Sequence, residues 1–373
     1  MTHEAALETV TRIAGEHADS VDIEGRFPQE AVTALRSSGL LGLVLPAAVG
    51  GMGKGPEELT QVVSGLAGAC GSTAMIYLMH TAAAVTVAAA APLGEPELLA
   101  SLARGECLGT LGFSEKGSRS HFWAPVSTSQ LTGETVRIKA DKSWVTSAGF
   151  ADVYVMSAGS TTGVAGEVDI YALPAKTKGL TVAGSWSALG FRGNASSPMT
   201  IDVDIPVSYR LGEVASGFGL MMQIVLPWFN LGNASVSLGL AGAAVDAAVA
   251  HVSGARLEHI DQALSALPTI RAQVAKMSIS LAAQRAYLSF AARSIANPGD
   301  STMLDVLGVK ASANDAALSI TEMAMRVCGG AAFSRHLPIE RAFRDARAGS
   351  VMAPTADVLY DFYGKAVTGL PLF

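Results

Sequence analysis

Cysteine is scarce in this chain: 3 occur, at positions 70, 107 and 328, and none has the CxxC spacing of a redox pair or a zinc knuckle. Their distribution fits a reducing compartment, and the cytoplasm is the expected location. Basic charge is also in short supply. Lys and Arg number 26 against 32 Asp and Glu, a net charge of -6, so no nucleic-acid partner is expected, because such surfaces concentrate Lys and Arg. The opening "MTHEAALETV" lacks the basic-then-apolar order of a secretion signal. The 7 His show neither HxxxH nor HExxH spacing, so no metal site is expected, and "GGMGKG" lacks the Walker spacing. Sustained runs of Leu, Ile, Val and Phe are missing as well. Two uncharged stretches, Thr73 to Gly94 and Val214 to Val245, are instead rich in Ala and Thr or broken by Pro227, Asn230 and several Gly. Both read as buried helices, and no membrane partner is expected.

What remains is a chain of 373 residues, long enough for two or three packed units. Three textures follow one another, and they give an α+β chain in α-β-α order. Residues 1–108 are helical in pattern: "FPQEAVTALRSSGLLGLVLP" sets Val32, Leu35 and Leu40 at turn spacing before Gly39 and Pro46 close the run. Residues 109–213 change to a period of two. In "PMTIDVDIPV", Met199, Ile201, Val203 and Ile205 alternate with Thr200, Asp202 and Asp204. Residues 214–373 return to an Ala-rich helical texture, with "HIDQALSALP" and "IANPGDST" as short connections between helices.

Six segments in this order are diagnostic together: "LPAAVGGMGKG", "LGFSEKGSRS", "KSWVTSAGFADVYV", "LGFRGNASSPMTIDVDIPV", "RVCGGAAFSRHLPIERAFRDARAG" and "MAPTADVL". They resemble the acyl-CoA dehydrogenase superfamily over nearly the whole length. The resemblance implies an N-terminal helical domain, a central β-barrel-like domain and a C-terminal four-helix bundle. It also implies FAD at their junction and a homodimer or homotetramer built through the bundle. Carried over residue by residue, it assigns Phe113 and Ser114 to the flavin's pyrimidine edge and Ser120 to its pyrophosphate. Trp144 would pack on the flavin, Thr146 would bond near N5, and Gly329 and Gly330 would admit the adenosine half. Thr355 and Asp357 fall at further polar contacts to the same cofactor. Read without the resemblance, Trp144 is a core aromatic and Thr146 a strand residue.

The same comparison exposes departures. The family's catalytic Glu, which removes the α-proton of an acyl thioester, falls at Ala353. Its alternative location falls at Phe229. An Arg-x-x-Phe-Gly segment is degenerate here as "ARLEHID", which weakens Arg256 as a cofactor contact, and Arg344 with Asp345 read either as site residues or as a structural ion pair. Candidate replacements for the base lie in "EKGSRSHFW": His121 for acid–base work, Glu115, and Arg119 for holding a carboxylate, phosphate or thioester oxygen. The alternative, and the simpler reading of these residues, is solvated loop charges and a structural Glu115. His80 reads as a core histidine, and Trp123 and Trp228 as pocket walls or packing. Three functions follow. The first is a specialised oxidase, monooxygenase or decarboxylative dehydrogenase acting on a small-molecule or acyl-thioester substrate carried by CoA or a carrier protein, with O₂ or an electron-transfer flavoprotein as acceptor. The second is an acyl-CoA dehydrogenase with a relocated base, and the third a non-catalytic subunit.

Overall fold

The computed structural model describes residues 2–119 and 121–372. Its helical first part comprises α1 (His3–Glu24), α2 (Gln29–Ser38), α3 (Pro56–Ala69), α4 (Gly71–Ala89) and the short α5 (Leu98–Ala103). The Thr2 hydroxyl accepts the Ala5 N–H at the start of α1, and Gly25 ends the helix at φ 64°, a conformation that suits a residue without a side chain. α3 opens with Pro56 at its first position, and the Glu58 carboxylate accepts the Gly55 N–H at 3.0 Å. α4 has apolar residues on every side and is enclosed on every side.

The middle part contains β1 (Gly109–Gly112), β2 (Thr128–Thr132), β3 (Thr135–Val145), β4 (Val153–Gly159), β5 (Val168–Pro174), β6 (Leu180–Val182) and β7 (Ser197–Pro206). They form two sheets, β1-β4-β5 and β2-β3-β7-β6, so the expected barrel-like domain is built from two separately hydrogen-bonded sheets. β7 alternates as its sequence requires. Met199, Ile201, Val203 and Ile205 enter a core shared with Val136 and Ile138 of β3 and with Tyr154 and Met156 of β4. Asp202 and Asp204 face outward and pair across the strand boundary with Arg137. The other face of β4 and β5, through Val155, Ile170 and Ala172, joins the helical core that includes α4. The smaller sheet is therefore covered on both sides.

The last part begins with α6 (Gly217–Leu220), a π-helical turn at Met221–Val225 and α7 (Leu226–Gly254). α8 (Pro268–Ala296), α9 (Thr302–Cys328), α10 (Gly330–Phe333), α11 (Ile339–Val351) and α12 (Ala356–Val367) follow. α7 lies at the centre, packed by α3, α4, α8, α9 and α11. By length and composition α4 and the Gly217–Gly254 segment are apolar enough to cross a membrane, yet 89% and 67% of their most apolar windows are buried in the protein. The "HIDQALSALP" connection contains a small ladder between β8 (Arg256–Leu257) and β9 (Gln262–Ala263). Arg256 is used inside that turn, donating to the Asp261 carbonyl at 2.9 Å and to its carboxylate.

Candidate active site

A cavity of about 900 Å³ opens where the three parts meet. Met79 of α4, Leu111 of β1, the loop after β1, the end of β3 and the β6–β7 connection form its sides. The π-helical turn, the start of α7, α11 and the residues Met352, Ala353 and Thr355 complete it. Gly190 lets the β6–β7 connection lie directly on α11, since an added Cβ there would stand 2.7 Å from the Arg344 carbonyl oxygen.

Of the cofactor residues expected from sequence, Phe113, Ser114, Trp144, Thr146 and Thr355 line this one cavity. Glu115, Arg119 and His121 line it too. Ser120 lies outside the described residues. Gly329, Gly330 and Asp357 are exposed and stand apart from the cavity. Gly329 joins α9 to α10 at φ 54°, with open space beside both glycines. The chain alone therefore brings together the residues expected at the flavin ring and leaves the paired glycines on its surface.

Glu115 has a fully committed carboxylate. One oxygen accepts the N–H groups of Val126 at 2.7 Å and Ser127 at 2.8 Å. The other accepts the Ser127 hydroxyl at 2.6 Å and the Lys142 ammonium at 2.6 Å. Four donors occupy the roughly four lone-pair sites of a carboxylate, so no acceptor direction is left for a substrate. Lys142 is buried as well and also donates to the Ser157 carbonyl at 2.6 Å; burial pulls its pKa down while Glu115 opposes the shift. Placed among catalytic candidates by its sequence position, Glu115 is in this geometry an anchor of the loop that carries the site. Arg119 and His121 are exposed at the mouth, where the His121 ring meets Trp123 edge to face with centroids 5.1 Å apart.

Both positions at which a carboxylate was sought, Ala353 and Phe229, lie on the cavity wall, so the wall is apolar there. Behind them stands a residue that the sequence reading passed over. Lys310 of α9 is fully buried, and its ammonium donates to the carbonyls of Met352 at 2.9 Å and Pro354 at 2.7 Å. It lies 5.1 Å from the centre of the Phe229 ring. Burial pulls its pKa down to about 7. The available signal was a single Lys on the helical stripe of Val306, Val309 and Ala313, all buried.

Arg344 and Asp345 are not paired to each other. Arg344 holds Asp22 at 2.6 and 2.8 Å and Glu340 at 2.7 and 3.0 Å, tying α11 to α1. Asp345 accepts the Phe191 N–H at 2.7 Å. His80 is a core residue: its ring lies 3.0 Å from the Leu41 carbonyl and 3.0 Å from the Gly109 N–H, and burial lowers its pKa to about 4. Donation from Nε2 and acceptance at Nδ1 satisfy both partners. Trp123 packs on Phe122 and Phe362.

The lining fits FAD. Trp144 is 62% exposed, an indole left largely bare beside the cavity, with the Trp186 ring at a steep angle to it. Ser114 and the hydroxyl pair of Thr146 and Ser196, 2.9 Å apart, supply polar contacts beside that apolar face. The sole lining carboxylate among the described residues, Glu115, is neutralised by Lys142, so nothing there repels the cofactor's phosphates. The volume lies within the range of small-molecule pockets, roughly 300 to 1,000 Å³.

A helical, a β and a second helical domain converging on such a cavity define a flavin-dependent oxidoreductase of the dehydrogenase type. Three family models match along the chain: "Acyl-CoA dehydrogenase, N-terminal domain" at residues 1–106, "middle domain" at 110–203 and "C-terminal domain" at 215–368. The chain belongs to the acyl-CoA dehydrogenase family. Among curated proteins it is 27% identical over 367 residues to the mitochondrial short-chain specific acyl-CoA dehydrogenase of Bos taurus, covering 96% of this chain and 88% of that protein. Butyryl-CoA dehydrogenase from Megasphaera elsdenii has the same fold, with a TM-score of 0.89, 22% identity and coverage of 97% and 98% of the two chains. So does the prolyl acyl carrier protein oxidase AnaB, at a TM-score of 0.88, 19% identity and the same coverage.

Proposed function

We propose that this chain is an FAD-dependent oxidoreductase acting on an acyl thioester or related carbonyl substrate without a carboxylate base. Its chemistry is then that of a specialised oxidase or monooxygenase, or of a decarboxylative dehydrogenase. The cavity wall carries this reading. Ala353 and Phe229 leave no titratable group at either expected base position, and Glu115 is held by four donors. FAD, when bound, supplies the two-electron acceptor. The chain's own residues orient it: Trp144 offers an apolar face, and Ser114 and Thr146 offer short hydroxyls that approach a ring without crowding it. His121 is the lining imidazole at the mouth. A substrate that arrives activated, such as a β-keto acid that loses CO₂, needs no base from the wall. The fold shared with a carrier-protein oxidase makes O₂ a reasonable acceptor alongside an electron-transfer flavoprotein, and a carrier protein a reasonable alternative to CoA.

The deciding experiment is an assay of the wild-type protein with butyryl-CoA and an artificial electron acceptor. Turnover should lie far below the ordinary enzymatic range of roughly 1 to 10³ per second. Turnover within that range would show that the base has moved, and His121 would be the first residue to replace. Ala353→Glu, which returns a carboxylate to the wall, should raise that low rate; a positioned base is worth about 10² to 10⁴.

A further inference from the structure

Lys310 is a buried amine with no acidic partner among the described residues. Its ammonium is satisfied only by two backbone carbonyls and the face of Phe229, and no acidic side chain among the described residues offsets its burial. A buried charge left in this way is costly unless something compensates it. Its surroundings belong to the cavity: Met352, Ala353 and Phe229 all line the wall. Positive charge recurs beside them. Arg347 of α11 also lines the cavity, donating to the Thr321 hydroxyl at 3.0 Å and the Phe343 carbonyl at 2.7 Å, with Glu322 no nearer than 3.7 Å. Arg347 thus adds a second basic side chain at this end of the cavity, partly offset by Glu322.

We infer that the floor at Ala353 receives a carboxylate on the ligand's acyl chain, with Lys310 as the positioning cation behind it. The methyl of Ala353 leaves free the room that a longer acidic side chain would fill, so the ligand's carboxylate takes the place of a protein one. Peptide geometry helps. In a trans peptide the C=O and the next N–H point opposite ways, so the Met352 carbonyl that faces Lys310 turns the Ala353 N–H away from it. At an effective dielectric near 20, a unit charge several ångströms from another shifts affinity by about tenfold or more. This deepens the function proposed above and rests on it for the thioester.

The test is titration of the FAD-loaded protein with malonyl-CoA and propionyl-CoA, three-carbon acyl chains that end in a carboxylate and in a methyl, followed by flavin absorbance. Malonyl-CoA should bind at least about tenfold more tightly. Lys310→Met should remove that advantage and leave propionyl-CoA within about twofold, while Lys310→Arg, which keeps the charge, should restore most of it. Propionyl-CoA binding as tightly as malonyl-CoA to the wild type overturns the inference, and so does an equal loss for both ligands in Lys310→Met. The wild-type comparison decides alone if that variant does not fold. Should neither thioester bind, the thioester reading fails and the floor is judged separately with malonate against neutral dimethyl malonate: equal binding of those two overturns it.

Discussion

Glu115→Gln should unfasten the loop that carries Ser114, Arg119 and His121. The substitution keeps the shape but replaces an oxygen that accepts a hydrogen bond with an NH₂ that donates one. Whichever way the amide turns, it faces either the Val126 and Ser127 N–H groups or the Lys142 ammonium with a donor. Where the NH₂ faces Lys142, the ammonium is left in the interior with Ser157 to bond; where the oxygen does, the Val126 and Ser127 N–H groups lose their acceptor. Breaking a buried pair by removing one partner typically costs about 3 to 5 kcal/mol, a large part of a total that is itself about 5 to 15 kcal/mol. With a urea dependence of roughly 3 kcal/mol per molar, the unfolding midpoint should fall by about 1 M or more. Glu115→Gln combined with Lys142→Met removes both charges and should recover part of that loss, which identifies the pair as its source. A Glu115→Gln protein with stability within about 0.5 kcal/mol of wild type but no turnover would make Glu115 a catalytic group and refute the anchor assignment.

Purified protein should be yellow with bound FAD, and Trp144→Ala should weaken retention; a chain whose absorbance does not change on FAD titration would remove the basis for a flavoenzyme. Burial raises the Asp345 pKa to about 7, above its unfolded value, so this group's contribution to stability is full below about pH 4 and is lost as pH rises toward 7. Asp345→Asn should therefore flatten the stability difference between pH 5 and 8, by on the order of a few kcal/mol, in thermal melts across that range. α8 exposes Ile279 and Phe290, and most of its residues are not buried, so oligomers built through α8 are expected, and sedimentation as a monomer at micromolar concentration would exclude them.

Much of the fold was legible because the relevant signals are local. The period-two run in β7 needs only its own residues to show which side is buried, and the closing glycines of α1 and α2 stand next to the helices they end. Grouping Ser114, Trp144 and Thr146 rested on resemblance, since nothing in their spacing brings the β1 loop to the end of β3. Lys310 stayed hidden for another reason. Its partners are main-chain oxygens 42 and 44 residues away, and backbone carbonyls carry no residue-type signal. Arg344 misled similarly: Asp345 is adjacent in sequence, but its partner Asp22 lies 322 residues distant. The role of Glu115 turned on Val126 and Ser127, whose contribution is two main-chain N–H groups and the Ser127 hydroxyl.

The bond from Arg344 to Asp22 also bears on the order of events during synthesis. α11 supplies Arg347, Ala348 and Val351 to the cavity, and its seat on α1 joins the first helix made to nearly the last. A growing chain emits about 5 to 20 residues per second, so the opening helices wait on the order of 20 to 60 seconds before α11 can dock. During that interval the apolar surfaces around Met79 and Leu111 lack their far wall. Nascent chains stalled before Ile339 should accordingly recruit chaperones, and release of the last few dozen residues should close the pocket in one step.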